Sequence, residues 1–219
     1  MADDYIDMLG KVASVRGLVS LTTTTRPTTA EALAFINLGT LDLARMLCPR
    51  RRRTGEWTEG RLDKLTKLYV TETLAATYAA SNPATRVLPT ANLISYRPGI
   101  YVGTDLVPAK EVDPVEVFVR SQGDYAATND SPLYAFVDGK LYIASAHTAN
   151  FNVYFCYLKK PADMAAGQTD FNLDDDLMPV VLDYALGCVE GMYDDSESED
   201  NSMKYFERYF KAVQTLLGE

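Results

Sequence analysis

Residues 152–158 restrict the fold more than any other segment, because both faces of a strand built from them are apolar. Alternate side chains of a strand point to opposite faces. The two sets are Val153, Phe155 and Tyr157 on one face and Tyr154, Cys156 and Leu158 on the other. Both faces therefore have to be covered. We expect helices to cover one face and a neighbouring subunit to cover the other.

The segments around this strand predict a hairpin before it and two helices after it. Asp138-Gly139 between two apolar runs predicts a two-residue hairpin turn within residues 133–143. Apolar residues at helical spacing predict one helix from about residue 176 to 193 and a last helix over residues 202–217. The acidic stretch of residues 194–200 is interpreted as the turn between these two helices.

The first two thirds of the chain predict helices followed by strands. A short first helix is expected near residues 3–12, and Thr28-x-x-Glu31 is a capping box that opens a helix to about Leu47. A strand is expected near residues 67–73. Repeated Pro and Gly residues from 85 to 106 indicate strands and turns. Asp113-Pro114 opens a short helix over about residues 113–121.

These elements together predict an α+β fold. We expect a helical bundle from the N-terminal and C-terminal helices, with an inserted antiparallel β-rich lobe. The expected division is an N-terminal helical part (1–60), a β-rich lobe with its short helix (61–165), and a C-terminal antiparallel helix pair (166–219) that packs on the N-terminal helices.

Composition limits the classes of function. The chain has 219 residues and a formal net charge of -9, so sequence-independent DNA binding by the isolated chain is disfavoured. The acidity suits the wall of a passage through which DNA moves without sticking. The three cysteines are spread over apolar settings without a C-x-x-C pair, which indicates buried thiols in a reducing compartment. We expect no signal peptide and no membrane span.

No segment carries recognisable catalytic or metal-binding chemistry. His147 is the only histidine, and P-loop, dinucleotide and nucleophile-elbow motifs are absent from the sequence. The acidic stretch fails as an EF-hand because Glu199 and Tyr205 occupy the positions of the usual Gly and Glu. The run of Asp174, Asp175 and Asp176 is assigned to helix capping. We expect no catalytic residue, no metal and no cofactor; a metal-dependent hydrolase around this run is the enzyme alternative.

Two sets of residues are candidates for contacts with partners. Arg50, Arg51, Arg52 and Arg53 form an unusual basic run in an acidic chain. They either complement the end of the preceding helix or contact nucleic acid or an acidic partner. The candidates for subunit contacts are Tyr154, Leu158, Tyr205 and Tyr209.

The order of the C-terminal motifs resembles that of the head–tail connector proteins of tailed bacteriophages. This family is also called adaptor, neck or head-completion proteins and includes the tail-tubular type. The matching parts are Pro132-Leu133-Tyr134 with Asp138-Gly139, then Leu158-Lys159-Lys160-Pro161, then Asp183-Tyr184-Ala185-Leu186, and finally Tyr205-Phe206 with Tyr209. The early helix and the Val87-Leu88-Pro89 step fit the same order.

The resemblance implies a non-enzymatic virion protein at the head–tail junction, made in the host cytoplasm. It implies a homo-oligomeric ring, typically twelvefold, beneath the portal protein and above a tail or nozzle protein. Such a ring extends the channel for genomic DNA, which passes without sequence specificity, and has no contact with a membrane. The alternatives are another tail or virion structural component and a non-enzymatic interaction module.

Overall fold

A computed structural model describes residues 5–48, 61–76, 84–87, 99–121, 127–138, 140–146, 151–165 and 171–218. The helices are α1 (Tyr5–Val15), α2 (Thr29–Leu47), α3 (Pro114–Val119), α4 (Met178–Glu190) and α5 (Ser196–Leu217), with short 3₁₀ helices at Leu62–Leu68 and Asp175–Leu177. The strands are β1 (Tyr69–Ala76), β2 (Ala84–Val87), β3 (Gly99–Val102), β4 (Val107–Pro108), β5 (Lys110–Glu111), β6 (Leu133–Val137), β7 (Lys140–Ala144) and β8 (Phe151–Leu158). The predicted α+β class is confirmed.

The chain divides into two compact units. The helical unit combines Met1–Leu68 with Lys160–Glu219, and the β unit is Tyr69–Lys159. The predicted three-part division with boundaries at 60 and 165 stays a prediction. The strand expected near residues 67–73 is observed as β1, preceded by 3₁₀ turns, and the short helix expected near 113–121 is observed as α3.

Helix α2 begins at the predicted capping box. The Thr28 side chain accepts a hydrogen bond from the Glu31 amide, and the Glu31 carboxylate accepts one from the Thr28 amide at 2.7 Å. The hydrogen bonds from Thr28 lower the pKa of Glu31. These reciprocal bonds satisfy backbone donors that the first turn of a helix leaves without partners.

Glycines let α2, α4 and α5 approach closely in the helical unit. A Cβ atom on Gly39 of α2 would lie 2.8 Å from Cδ1 of Tyr184 on α4. A Cβ atom on Gly187 of α4 would lie 3.1 Å from the Phe206 ring on α5. The rings of Tyr184 and Phe206 therefore occupy the space that a side chain at Gly39 or Gly187 would need.

The prediction of a turn over the acidic residues 194–200 and a helix start at residue 202 is wrong. Helix α5 already begins at Ser196, and Asp195 is its N-cap, with Oδ1 accepting from the Ser198 amide at 2.8 Å. Acidic side chains are favoured in the first turn of a helix, where the backbone amides carry partial positive charge. Glu197 and Glu199 take these positions.

The assignment of the aspartate run to helix capping is confirmed for its position at a helix start, with Asp175 and Asp176 in the first turn, but not for a capping hydrogen bond. Asp174 stands at the N-cap of the second 3₁₀ helix, but its side chain makes no capping hydrogen bond. Instead, Asp176 pairs with Lys64 and Asp175 pairs with Lys67 at 3.0 Å. These aspartates tie the segment before α4 to the 3₁₀ helix that precedes β1.

The β unit has two four-stranded sheets, with strand orders β1-β8-β3-β4 and β2-β7-β6-β5. All neighbours are antiparallel except β5 and β6, so the predicted antiparallel lobe contains one short parallel pair. The predicted hairpin is confirmed, with Val137 opposite Lys140 and Asp138 at a positive φ of 48° in the turn. Asp tolerates this left-handed conformation better than most residues.

The second sheet, not the helices, covers the first face of the apolar strand β8. Val153, Phe155 and Tyr157 pack in one buried cluster with Tyr134, Leu141 and Ile143 of β6 and β7. The Phe155 ring stacks on Tyr157 with centroids 5.0 Å apart. Two sheets that face each other in this way bury alternate residues of each strand. This face is therefore covered by neither of the two expected partners, the helices and a neighbouring subunit.

Candidate functional site

The arginine run of residues 50–53 lies outside the described residues, but the residues that flank its segment are well fixed. The Arg61 amide donates to the Leu47 carbonyl at 2.9 Å, which brings the two ends of the segment together. Arg61 Nη1 donates to the Leu216 carbonyl at 2.7 Å, and its guanidinium pairs with Asp63. The segment therefore begins and ends beside the C-terminal ends of α2 and α5.

Arg61 is not among the contact residues predicted from the sequence. An arginine near the end of a helix is favoured by the partial negative charge of the last carbonyls. The sequence shows one arginine two residues before an aspartate, which is a common pattern. Only the fold shows that Arg61 reaches a carbonyl on a helix 155 residues away along the chain.

Tyr209, a predicted subunit contact, is buried inside the helical unit. Its hydroxyl donates to Asp42 Oδ2 on α2 at 2.8 Å, and its ring lies 5.2 Å from the Tyr184 ring. Burial, then the hydrogen bond to Asp42, raises the pKa of Tyr209. Its side chain is therefore part of the core of this unit and is not exposed for a second copy.

The two candidates on β8 differ in exposure. Leu158 is 1% exposed, so its side chain lies within the folded chain. Tyr154 is half-buried and stands between Thr73 of β1 and Tyr101 of β3 in the sheet register. Tyr101 is itself 38% exposed. Of the two predicted contacts, only Tyr154 offers surface to a partner.

Tyr205 is half-buried and borders a polar cavity of about 860 Å³ in the helical unit. The cavity lies between the end of α1 and the first half of α5, and it includes Arg16, Glu190 and Arg208 in its lining. The Arg208 guanidinium lies 5.5 Å from the centre of the Tyr205 ring. This cavity was not predicted, because its lining comes from segments that are distant in sequence.

A buried ion pair forms part of the cavity wall. Arg16 Nη1 donates to both carboxylate oxygens of Glu190, at 3.2 and 3.1 Å, and the side chain of Glu190 is 3% exposed. The Arg16 guanidinium also stacks on the Tyr193 ring at 3.6 Å. Desolvation opposes the charge on Arg16, but the hydrogen bond and charge of Glu190 raise its pKa. A paired and stacked arginine of this kind leaves neither oxygen of the buried carboxylate without a hydrogen-bond donor.

Each unit also exposes large apolar side chains that the sequence analysis did not select. In the helical unit, Leu38, Met203 and Phe210 are 49%, 62% and 50% exposed. In the β unit, Val115, Phe118 and Val119 on α3 are 69%, 45% and 65% exposed. The sequence of α3 is Pro-Val-Glu-Val-Phe-Val. Its apolar residues lie on every side of the helix, and this pattern could have indicated that some of them are exposed.

The described residues show no group of three or more His, Cys, Asp or Glu side chains arranged to hold a metal ion. His147 lies outside them. None of the three cysteines forms a disulfide; Cys48 is buried, and burial raises the pKa of Cys188 to about 11. Among the described helices, none is both long and apolar enough to cross a bilayer.

The fold and its surfaces thus define an α+β protein whose conspicuous features are exposed apolar and charged side chains. A family model described as SU10 adaptor protein matches residues 4–219. The chain belongs to this family of phage head–tail adaptor proteins, and the resemblance stated from the sequence is confirmed. It is accordingly a structural adaptor protein of bacteriophage type. None of the curated proteins compared with the chain matches it.

Proposed function

We propose that the chain forms a homo-oligomeric ring beneath the portal protein, connects the phage head to the tail, and extends the DNA channel. The observation that carries this proposal is the family match over nearly the whole chain. The protein acts without catalysis, as a part of the virion at the head–tail junction. Its partners are the portal above, a tail or nozzle protein below, and neighbouring copies of itself.

The surfaces of both units support an assembly role. Monomeric proteins rarely leave several large apolar side chains exposed in one short element, and α3 exposes three. The helical unit exposes three more on α2 and α5. In a ring, these side chains are available for burial against neighbouring subunits or partners, with Tyr154 and Tyr205 as the candidate tyrosine contacts.

The net charge of -9 supports the proposal that the wall of the DNA channel repels DNA and does not bind it. The arginine run is proposed to contact the portal or the DNA end. Its segment starts at the C-terminal end of α2, where Leu47 and Arg61 are hydrogen-bonded.

Negative-stain imaging with mass measurement tests the proposal most directly. The purified protein is imaged alone and after mixing with the portal protein from the same genome. We expect rings, or a layer stacked coaxially on the portal. A monomer that does not bind the portal would contradict the adaptor ring and favour another position in the virion.

A second experiment tests the arginine run. Replacing Arg50, Arg51, Arg52 and Arg53 by glutamate is expected to abolish portal binding or to stop production of infectious particles. The matched control changes the same number of charges at surface lysines outside this segment. Full infectivity of the arginine variant would remove the proposed role.

A further inference from the structure

The β unit is built of three layers, with helix α3 at one outer side and the first sheet at the other. Val117 of α3 packs with Leu133 and Ala144 of the second sheet. Tyr134 follows Leu133 along β6, so its side chain points to the other face of that sheet, where it packs in one cluster with Phe155 of the first sheet. The order of the layers is therefore α3, second sheet, first sheet. The outer face of the first sheet lies on the far side of the unit from α3.

This outer face of the first sheet carries uncharged side chains. Residues directly opposite each other in neighbouring strands point to the same face. By this register, the exposed or half-buried residues of the face include Thr71, Thr73, Tyr101, Pro108, Tyr154 and Cys156. Charged residues make up 23% of the chain, so a sheet face that is open to solvent and has no charge among its described residues is unusual. Such a face indicates that a partner covers it.

Helix α3 presents a second uncovered surface on the opposite side of the same unit. Val115 and Val119 stand four residues apart, on the side of the helix away from the second sheet, and both are exposed. Phe118 between them is also exposed. The charged pair of the helix is engaged locally, because Arg120 lies 3.4 Å from Glu116. The outward side of α3 is therefore mainly apolar.

We propose that α3 of one copy packs on the outer face of the first sheet of the next copy. This inference rests on the proposed ring and names its subunit contact. Val115, Phe118 and Val119 lie over Tyr101 and Tyr154 of the neighbouring chain. The contact gives the first sheet the kind of cover that the second sheet already has, a helix with apolar side chains packed on it.

A second copy is favoured over a different protein because every chain carries both halves of this contact. One repeated contact covers α3 and the sheet face together, whereas a different protein would have to cover the two surfaces separately. The two surfaces lie on opposite sides of the β unit, so the contact runs head to tail from copy to copy. Head-to-tail interfaces close into rings when the rotation between copies allows it. A two-fold dimer does not use opposite sides of a unit in this way.

The charges near the two surfaces also fit a contact between copies. Lys159, directly after β8, is exposed beside the sheet face. Helix α3 and its N-cap contain Asp113, Glu116 and Arg120, so this half of the contact is acidic. Opposite charges at the margins of an interface favour association. The sheet face itself offers no cation to the phosphates of nucleic acid among its described residues, so DNA is a poorer occupant.

Two variants that each change one half of the contact test the proposal. Val119→Glu adds a carboxylate to the α3 half, and Tyr101→Glu adds one to the sheet half. Each variant is expected to weaken self-association about tenfold or more, because an unpaired carboxylate is costly to bury. Val19→Glu, at a fully exposed valine of the helical unit, is the matched control and should assemble like the wild type. Circular dichroism verifies that all three variants are folded.

The two variants are then mixed and studied by sedimentation at high protein concentration. The intact α3 of the Tyr101→Glu chain packs on the intact sheet face of the Val119→Glu chain, whereas the reverse contact brings two carboxylates together. We expect a one-to-one dimer that does not grow. If the wild type assembles only on the portal, negative-stain imaging compares the variants there. Both Val119→Glu and Tyr101→Glu should then lose the layer that Val19→Glu keeps.

The outcomes separate this contact from the adaptor ring. Wild-type assembly that Val119→Glu and Tyr101→Glu both retain would overturn the contact and leave the ring standing. A mixture that stays monomeric while the wild type associates in solution, or a mixture that forms complete rings, would overturn the head-to-tail arrangement. Self-association that needs both surfaces but does not lead to portal binding would support the contact and contradict the ring. A wild-type chain without oligomers, alone or on the portal, would contradict both.

Discussion

A few side chains of the helical unit fix the spacing of its helices. The hydroxyl of Tyr209 joins α5 to α2 through Asp42, while Tyr184 fills the space above Gly39. An ionised carboxylate that is partly removed from water needs hydrogen bonds to offset the loss of hydration. The tyrosine hydroxyl supplies one such bond at the point where α2 and α5 meet.

The Tyr209 hydroxyl is expected to contribute measurably to stability. Tyr209→Phe keeps the ring but leaves Asp42 without this donor, so the free energy of unfolding should fall by about 1–2 kcal/mol. Urea unfolding followed by circular dichroism measures the change. The control is Tyr205→Phe, since the Tyr205 hydroxyl makes no hydrogen bond among the described residues. Equal losses in the two variants would contradict this role of the hydrogen bond.

Gly39 is expected to tolerate no side chain. Gly39→Ala places a methyl group 2.8 Å from Cδ1 of Tyr184, which must shift or push the helices apart. Overpacking of this kind costs about 1–3 kcal/mol. Gly10→Ala in α1 is the matched control, because no heavy atom lies within 4 Å of its added Cβ. That variant should gain up to about 1 kcal/mol from helix propensity, and thermal unfolding of both separates the effects.

At the scale of single elements, the first turns of α5 show how local chemistry decides a boundary. Five acidic residues between 194 and 200 look like a solvated turn, but four of the five lie at or inside the helix start, where carboxylates are favoured. Asp195 makes the capping bonds, and its pKa is lowered by the hydrogen bonds from the Ser198 amide and hydroxyl.

The cap at Asp195 should give α5 a pH-dependent stability. A lowered pKa in the folded state means that the contribution is present above the ordinary Asp pKa of about 4 and is lost as the pH falls through the folded value. Asp195→Ala should therefore lower the melting temperature at neutral pH, and this difference should shrink in acid. Asp194→Ala, one residue outside the cap, is the control. A difference that stays constant from neutral to acidic pH would argue against the cap.

The elements could be predicted where the determining contacts are local. Thr28 and Glu31 form their capping box within one turn, and Asp138 forms its hairpin turn between adjacent strands. The burial of Tyr209 and Leu158 could not be predicted in the same way. Periodicity places Tyr209 partly off the main stripe of α5, and only the approach of α2 with Asp42 shows that this side of the helix is covered.

The candidate site was harder to predict than the fold, because its parts come from distant segments. The arginine run was recognised from composition alone, whereas the cavity depends on Arg16 meeting Glu190, 174 residues later in the chain. Periodicity describes one element at a time. It does not show which charged side chains of different elements form hydrogen bonds or ion pairs with one another.

At the scale of the whole molecule, the β unit is an insertion whose two ends are adjacent. Tyr69 at the start of β1 is paired with Leu158 at the end of β8. Cα atoms of antiparallel partners are about 5 Å apart, so the chain enters and leaves the β unit at neighbouring points. The helical unit is therefore completed by two segments whose junctions lie close together in space.

This adjacency predicts that the two units fold separately. A chain in which a short Gly-Ser linker replaces residues 69–159 should keep the core of Val12, Ala32, Leu186 and Val189 and unfold cooperatively. The excised β unit should keep the cluster around Phe155. Circular dichroism and proton NMR of each piece show whether it is folded. The destabilised controls are Phe155→Ala in the excised β unit and Ile36→Ala in the linked helical chain. The linked helical chain could lack dispersed NMR signals at low temperature while the full chain has them. In that case the helical unit needs the β unit to fold, and the prediction of separate folding is wrong.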